Sequence, residues 1–283
     1  MNETVRLYDN ALEVHRPNHV SSSQFQSWEK CRLQWALRVG GVTLKHKSAD
    51  DYRKDAGKVI HAALTEHYRT ELALRGLEKL KASAAGVLTS LSYEALDSQH
   101  DKVYGTLDRF WKKYGDDGIV PIGTDMQINL HMRDEEGMLP SYVGYIDMLL
   151  YDEAEEAIVV EEWKTSLTDI DPIQYTFRNR QVFDYAAVAA VGRGVEQIGI
   201  RYMFLTPERA KRTMVMFYDL QGWKENMMVN MASEMTRGKV RPTYGAHCGR
   251  CPYEGLCILH STGGDVKTEL RENYTVGQEE KDG

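Results

Sequence analysis

The chain has 283 residues, 42% hydrophobic and 27% charged, the balance of an ordinary soluble globular protein. Its net charge of −7 excludes a protein that coats nucleic acid through bulk positive charge, though it leaves room for a local basic groove. No apolar run approaches the ~20 residues a membrane span needs. The opening MNETVRLYDN lacks the basic and apolar regions of a secretory signal, so a cytoplasmic location without a membrane partner is expected.

Residues 1–20 show no strong period and read as an irregular lead-in. Ser21-Ser22-Ser23 caps a helix that Gly40-Gly41 ends, and Cys31 lies inside it. The charged stretch Lys45 to Asp55 reads as a loop. An amphipathic helix follows, with Val59, Ile60, Ala63, Leu64 and His67 on its apolar face and His61 beside that face. Leu77 to Tyr114 continues mostly helical. Strands are predicted from Met126, over SYVGYIDMLLYD, and over AIVVEEWKTS, with DEEG and DEAEE as turns. Asp171-Pro172 opens a helix running to about Gly194. Two further strands, EQIGIRYMFLTP and RTMVMFYDL, precede a helix over Gly222 to Arg237. A cysteine-bearing loop spans 241–260, and 261–283 reads as a poorly ordered tail. The organisation expected is a helical region at 21–120 and a mixed α/β core at 121–240.

Chemistry concentrates between Tyr142 and Ser166. Side chains two apart on a strand share a face, so Glu162 and Lys164 point together while Trp163 points away. Pairing about the acidic turn brings Asp147 near Glu162. Glu161 should face away, although a slip of one residue would exchange the two glutamates. Two carboxylates and an ammonium in one patch are unfavourable unless something binds there. A hard divalent cation such as magnesium or manganese suits oxygen ligands. Gln181 and Tyr185, four apart, share a helical face, with Arg178 three residues earlier. Each also has a plainer reading: a solvated polar stripe for this set, and a structural role for His61.

Cysteines stand at Cys31, Cys248, Cys251 and Cys257. In a cytoplasmic chain, metal or cluster binding is favoured over disulfides, and spacing alone leaves zinc and iron–sulfur both open. Cys31 taken singly could equally be a buried apolar residue.

Taken in order, Gly57-x-x-x-His61, Asp147, Glu162-Trp163-Lys164 and Gln181-x-x-x-Tyr185 resemble the PD-(D/E)XK nuclease pattern in its RecB-like branch. Ile146 replaces the proline of the name. Cys31 with Cys248-x-x-Cys251-x5-Cys257 is similar to the iron–sulfur arrangement of the AddB-type nucleases. The CRISPR-associated RecB-like exonucleases and their stand-alone viral relatives are the nearest likeness. The resemblance implies a restriction-endonuclease-like core that hydrolyses DNA, with single-stranded ends as the expected substrate and 5′-to-3′ polarity. It implies Asp147, Glu162, His61 and the Trp163 carbonyl as ligands of manganese or magnesium, and Lys164 as the residue that positions water and counters developing charge. Gln181 and Tyr185 would hold DNA or the attacking water, and Arg178 and Arg180 would contact phosphates. The four cysteines would hold a structural [4Fe–4S] cluster, with zinc as the alternative. Rival expectations are a non-catalytic DNA-binding or assembly module, and a nuclease working with recombination or CRISPR integration partners.

Overall fold

A computed structural model describes residues 6–8, 11–13, 17–45, 49–89, 93–165, 175, 179–217 and 227–276. The chain forms two compact units that interleave along the sequence: Met1–Lys47, Leu130–Val143 and Asn226–Gly283 make one, Ser48–Asn129 and Gly144–Glu225 the other. This division differs from the consecutive regions expected, because compactness follows packing partners rather than chain order.

The unit of Ser48–Asn129 and Gly144–Glu225 contains helices α1 (Ala49–Arg69), α2 (Leu77–Leu88) and α3 (Tyr93–Tyr114), then strand β1 (Pro121–Leu130). The long strand β2 (Ser141–Asp152) enters it at Gly144 and is followed by β3 (Ala157–Lys164) and helix α4 (Gln181–Arg193). Strands β4 (Gly199–Leu205), β5 (Ala210–Arg212) and β6 (Met216–Phe217) complete it. The sheet runs β5-β4-β3-β2, with β6 against β4 and β1 against β2. β2 and β3 are an antiparallel hairpin in which Met148 pairs with Glu161 and Asp152 with Ala157. Its turn forms because Asp152 Oδ1 accepts from the backbone N–H groups of Ala154 and Glu155 at 3.1 and 3.2 Å. β3 and β4 are parallel, so they need a crossover, and α4 lies on it.

Parallel pairing buries β4 completely. Residues of alternate parity on the strands divide the work. Met148, Leu150, Val159, Trp163, Met203 and Leu205 form one apolar cluster with α1, α2 and α3, to which Val59, Ile60, Ala63, Leu64, Leu80, Ala84, Leu107 and Phe110 contribute. The other parity carries Asp147, Glu162 and Lys164. α4 is buried along most of its length, and its alanines (Ala186, Ala187, Ala189, Ala190) keep that surface low. It ends at Gly194, whose φ of +65° and N–H to the Ala190 carbonyl close the last turn.

In the other unit, Ser21 caps helix Ser22–Lys30 through the Gln24 N–H. The single helix expected up to Gly40 is two: Cys31 takes an extended backbone, φ −162° and ψ 114°, and a second helix runs Arg32–Val39. The break turns the Cys31 side chain into a cluster with Leu33, Leu37, Val42, Tyr253, Leu256, Leu270 and Tyr274. The polar tail, expected to be poorly ordered over 261–283, is described as far as Val276 and forms regular structure there. Asp265 caps helix Val266–Asn273, and Tyr274–Val276 pairs antiparallel with Val42–Leu44. Buried Leu270 and Tyr274 anchor a stretch whose average polarity hides them. The Lys45–Asp55 loop is likewise helical from Ala49, and the strand expected from Met126 begins at Pro121. Much of the helix expected from Asp171 falls outside the described residues, and the described helix there starts at Gln181. Among the described residues no helix is long and apolar enough to cross a membrane.

Candidate active site

The site builds outward from Asp147. The β2–β3 ladder stops at the Met148–Glu161 pair, so the next backbone donor on β3 needs another acceptor. Asp147 supplies it: its Oδ2 accepts from the Trp163 N–H at 2.7 Å, and its Oδ1 lies 2.8 Å from His61 Nδ1. His61 comes from α1, which approaches the end of β3 closely. A Cβ on Gly57 would stand 3.0 Å from the Thr165 hydroxyl, which is a reason for glycine one turn before the histidine. The Trp163 indole is fully buried, stacked on Tyr68 and edge-on to His61 with ring centres 5.8 Å apart.

Glu162 is only 2% exposed. Its Oε1 accepts from Lys164 Nζ at 2.7 Å, while its Oε2 is buried with no hydrogen-bond partner. Lys164 Nζ also donates to Gln181 Oε1 at 3.1 Å, and Gln181 Nε2 donates to the Tyr185 hydroxyl at 2.7 Å. Asn179 holds the start of α4 by accepting from the Gln181 N–H at 3.1 Å and donating to the Tyr175 hydroxyl at 2.6 Å. Glu162, Lys164, Gln181 and Tyr185 thus form a chain of polar contacts reaching from the hairpin to α4, while Asp147 is held separately by His61 and the Trp163 N–H.

Burial sets the charges here. It pushes the Glu162 carboxyl up to about 7, with repulsion from Asp147 adding and Lys164 opposing. Burial works against the cationic forms of Lys164 and His61, yet Glu162 in the first case and Asp147 in the second outweigh it, so both are raised. Burial also raises the Tyr185 phenol to about 12, which keeps it a neutral donor. An orphaned carboxylate oxygen beside a second, half-buried carboxylate is a donor set that fits a hard divalent cation. His61 and Asp147 are hydrogen-bonded to each other and Glu162 to Lys164, and among the described residues no three His, Cys, Asp or Glu side chains are arranged as a formed coordination shell.

The neighbouring Glu161 has a different surrounding. It is fully buried on the opposite parity. Its Oε2 lies 2.6 Å from Arg201 Nε and 2.9 Å from Arg212 Nε, and its Oε1 accepts from the Trp163 indole N–H at 3.2 Å. Arg201 also pairs with Asp152 at 2.7 Å, and Arg212 with Asp117 at 2.9 Å. Sequence reasoning missed this network. The available signal was Arg201, a lone charge in an apolar strand, which parallel register sets opposite Glu161.

Arg180, expected to contact phosphate, is buried and donates from Nε to Asp184 Oδ1 at 3.1 Å, as a fully buried carboxylate requires a counter-ion. Arg178 lies outside the described residues.

No disulfide joins the four cysteines. Cys251 and Cys257 pack against the apolar cluster that contains Cys31. Burial raises both thiols, and electrostatic coupling to Cys31 and Cys248 adds to the rise. The Thr243 N–H points to Cys31 Sγ at 3.5 Å and the Gly245 N–H to Cys248 Sγ at 3.4 Å. Backbone donors aimed at sulfur suit a thiolate set. Cys257 sits on helix Glu254–Thr262 rather than in a loop.

Comparison with known proteins agrees on the fold. The crystal structure of a putative exonuclease from Eubacterium rectale is similar at 10% identity and a TM-score of 0.51, over 83% of this chain and 88% of that one. The crystal structure titled SSO0001 is similar at 13% identity, over 87% of this chain and 88% of that one, with a TM-score of 0.42 that is too low to carry weight. No curated protein matches the sequence. Residues 19–258 match the PD-(D/E)XK nuclease superfamily, and with that match spanning the hairpin, α1 and α4, the chain belongs to this superfamily.

Proposed function

We propose that the chain is a metal-dependent DNA exonuclease acting on single-stranded ends, with the 5′-to-3′ polarity that its likeness to RecB-like nucleases implies. The observation that carries the reading is Glu162 Oε2, a buried carboxylate oxygen with no protein partner, next to Asp147. A module that only bound DNA would have no use for so unfavourable a pair. Superfamily members use divalent metals such as magnesium or manganese, and Asp147, Glu162, His61 and the Trp163 carbonyl are the residues that would hold one here. When bound, such a cation supplies water activation near neutral pH and charge neutralisation at the phosphate.

The protein's own groups do the rest. Lys164 stays protonated, so it donates to water or to a phosphate oxygen as negative charge develops. Gln181 and Glu162 each accept one hydrogen bond from Lys164 and fix the direction of the ammonium, which leaves its third N–H for the substrate. Tyr185, neutral and held by Gln181, offers a hydroxyl to the nucleic acid. Tying His61 to Asp147 limits the rotation of both. In the same reading the four cysteines hold a structural [4Fe–4S] cluster, with zinc as the alternative.

The test is cleavage of single-stranded DNA labelled separately at each end, with manganese, magnesium or chelator. Metal-dependent release starting at one label, absent in Glu162→Gln, is expected. No cleavage by a protein that carries its full iron content would favour the binding-module reading.

A further inference from the structure

The loop after helix Val229–Arg237 is unlike the rest of this acidic chain. Between Glu234 and Glu254 the sequence has no Asp or Glu, whereas the whole chain has 42 of them. It carries Lys239, Arg241 and Arg250, all exposed, and among the described residues none of the three makes an ion pair. Arg237 differs, being held by Asp134 and Glu136. At the centre of the stretch Tyr244 is 68% exposed. Its hydroxyl is tied to Ser261 Oγ at 2.8 Å, so the ring is anchored at its tip while most of its surface meets solvent. His247 Nε2, 2.9 Å from the Thr243 carbonyl, braces the same loop.

An anchored, exposed aromatic ring on a loop whose three exposed cations make no ion pair among the described residues has the chemistry of a single-strand platform. Every base offers a π-face to such a ring, and guanidinium groups alongside meet phosphates. A duplex hides its base faces in the stack, so it gains only the phosphate contacts. The cleft of about 480 Å³ beside the loop is a poorer site for phosphate. It is lined by Glu29 and Glu234 as well as Arg32 and Arg241, and Arg32 already pairs with Glu234 at 2.9 Å. The outer face of the loop has no such acidic lining within its own sequence.

We propose that loop 239–250 docks single-stranded DNA, with a base stacked on Tyr244 and the backbone on Lys239, Arg241 and Arg250. The choice of DNA rests on the nuclease reading above; the choice of a single strand rests on Tyr244.

The experiment measures fluorescence anisotropy of a labelled oligothymidylate and of a duplex of equal length, without added divalent metal. It compares the native chain, Tyr244→Ala, Tyr244→Trp and the pair Arg241→Ala with Arg250→Ala. Tyr244→Ala should weaken single-strand binding roughly 5- to 100-fold and leave duplex binding unchanged, and Tyr244→Trp should stay within about twofold of native. The arginine pair should lower the salt dependence of log K by roughly 1.4. Equal single-strand affinity in Tyr244→Ala and native protein, including no measurable binding by either, overturns the proposal. So does an equal loss on duplex. Hydrolysis of thymidine 5′-(p-nitrophenyl phosphate) by the native chain with manganese is read in parallel. Its absence alongside a Tyr244-dependent affinity would refute the nuclease and leave the platform standing.

Discussion

Replacing Glu161 and Glu162 by glutamine, one at a time, should move stability in opposite directions. Glu161 is the shared counter-ion of Arg201 and Arg212, at 2.6 and 2.9 Å. Removing one partner from a buried ionic cluster costs ~3–5 kcal/mol, and a glutamine amide would also turn a donor toward guanidinium donors. Glu162 is the reverse case. A carboxyl raised from 4.5 to about 7 carries ~3 kcal/mol against its ionised form once the pH exceeds both values. That penalty is absent below the unfolded value, where the group is protonated in both states. Glu162→Gln should therefore stabilise the metal-free protein by up to ~3 kcal/mol at pH 8, and the gain should vanish near pH 4. Glu161→Gln should destabilise it at pH 8. Urea unfolding followed by circular dichroism at the two pH values reads both effects. Equal destabilisation by the two substitutions at pH 8 would refute the assignment of one glutamate to the scaffold and the other to the site.

Lys164→Ala should abolish phosphodiester cleavage while manganese still raises the melting temperature, because the carboxylates remain; loss of both would make Lys164 a structural residue. His67 is buried, and its pKa is lowered to about 4 by burial and then by Arg75, with Asp117 opposing. Its folded value lies below the unfolded one, so its stabilisation is complete above pH 6.5 and is lost as the pH falls toward 4, ~3 kcal/mol in all. His67→Leu should lose less stability than the native chain between pH 7 and pH 4 in urea unfolding, and parallel curves would exclude His67 as the cause. Cys251→Ser should lower the melting temperature and the bound iron together, as measured by calorimetry and elemental analysis. An intact, fully active variant with native iron content would remove Cys251 from the ligand set.

Local alternation was enough to separate Glu162 and Lys164 from Trp163, because the strand period is two and needs no knowledge of distant chain. The same alternation placed Glu161 on the far side, and the Met148–Glu161 register agrees with it. What surrounds Glu161 was not legible, since Arg201 and Arg212 reach it from separate strands and only sheet order brings them there. Arg180 misled for a related reason: a basic residue beside a functional helix looks available until its buried acid, Asp184, is seen in three dimensions. The break at Cys31 was hidden because its flanks are both helical in composition, and the backbone changes there for the sake of a cluster built from the far end of the chain. In the tail, Leu270 and Tyr274 are too few to register against their polar neighbours, yet two buried anchors and a capped helix organise the stretch up to Val276.

The interleaving of the two units has a consequence for how the protein is made. Residues up to Lys47 include Phe25, Trp28, Leu33 and Trp35, all buried in the finished fold. Phe25 stacks on Tyr142, and Leu33 joins Tyr253, Leu256, Leu270 and Tyr274, so their companions come from later segments. The last of those segments starts at Asn226, and at about 5–20 residues per second it leaves the ribosome roughly 10–40 s after the first. Phe25 waits for Tyr142 of the middle segment and Leu33 waits the whole interval for its cluster, while the sequence of the unit that carries Asp147, Glu162 and Lys164 is already complete by Glu225. Nascent chains should therefore recruit holdase chaperones at their leading end, and the nuclease sheet should resist protease before the cysteine-bearing unit does.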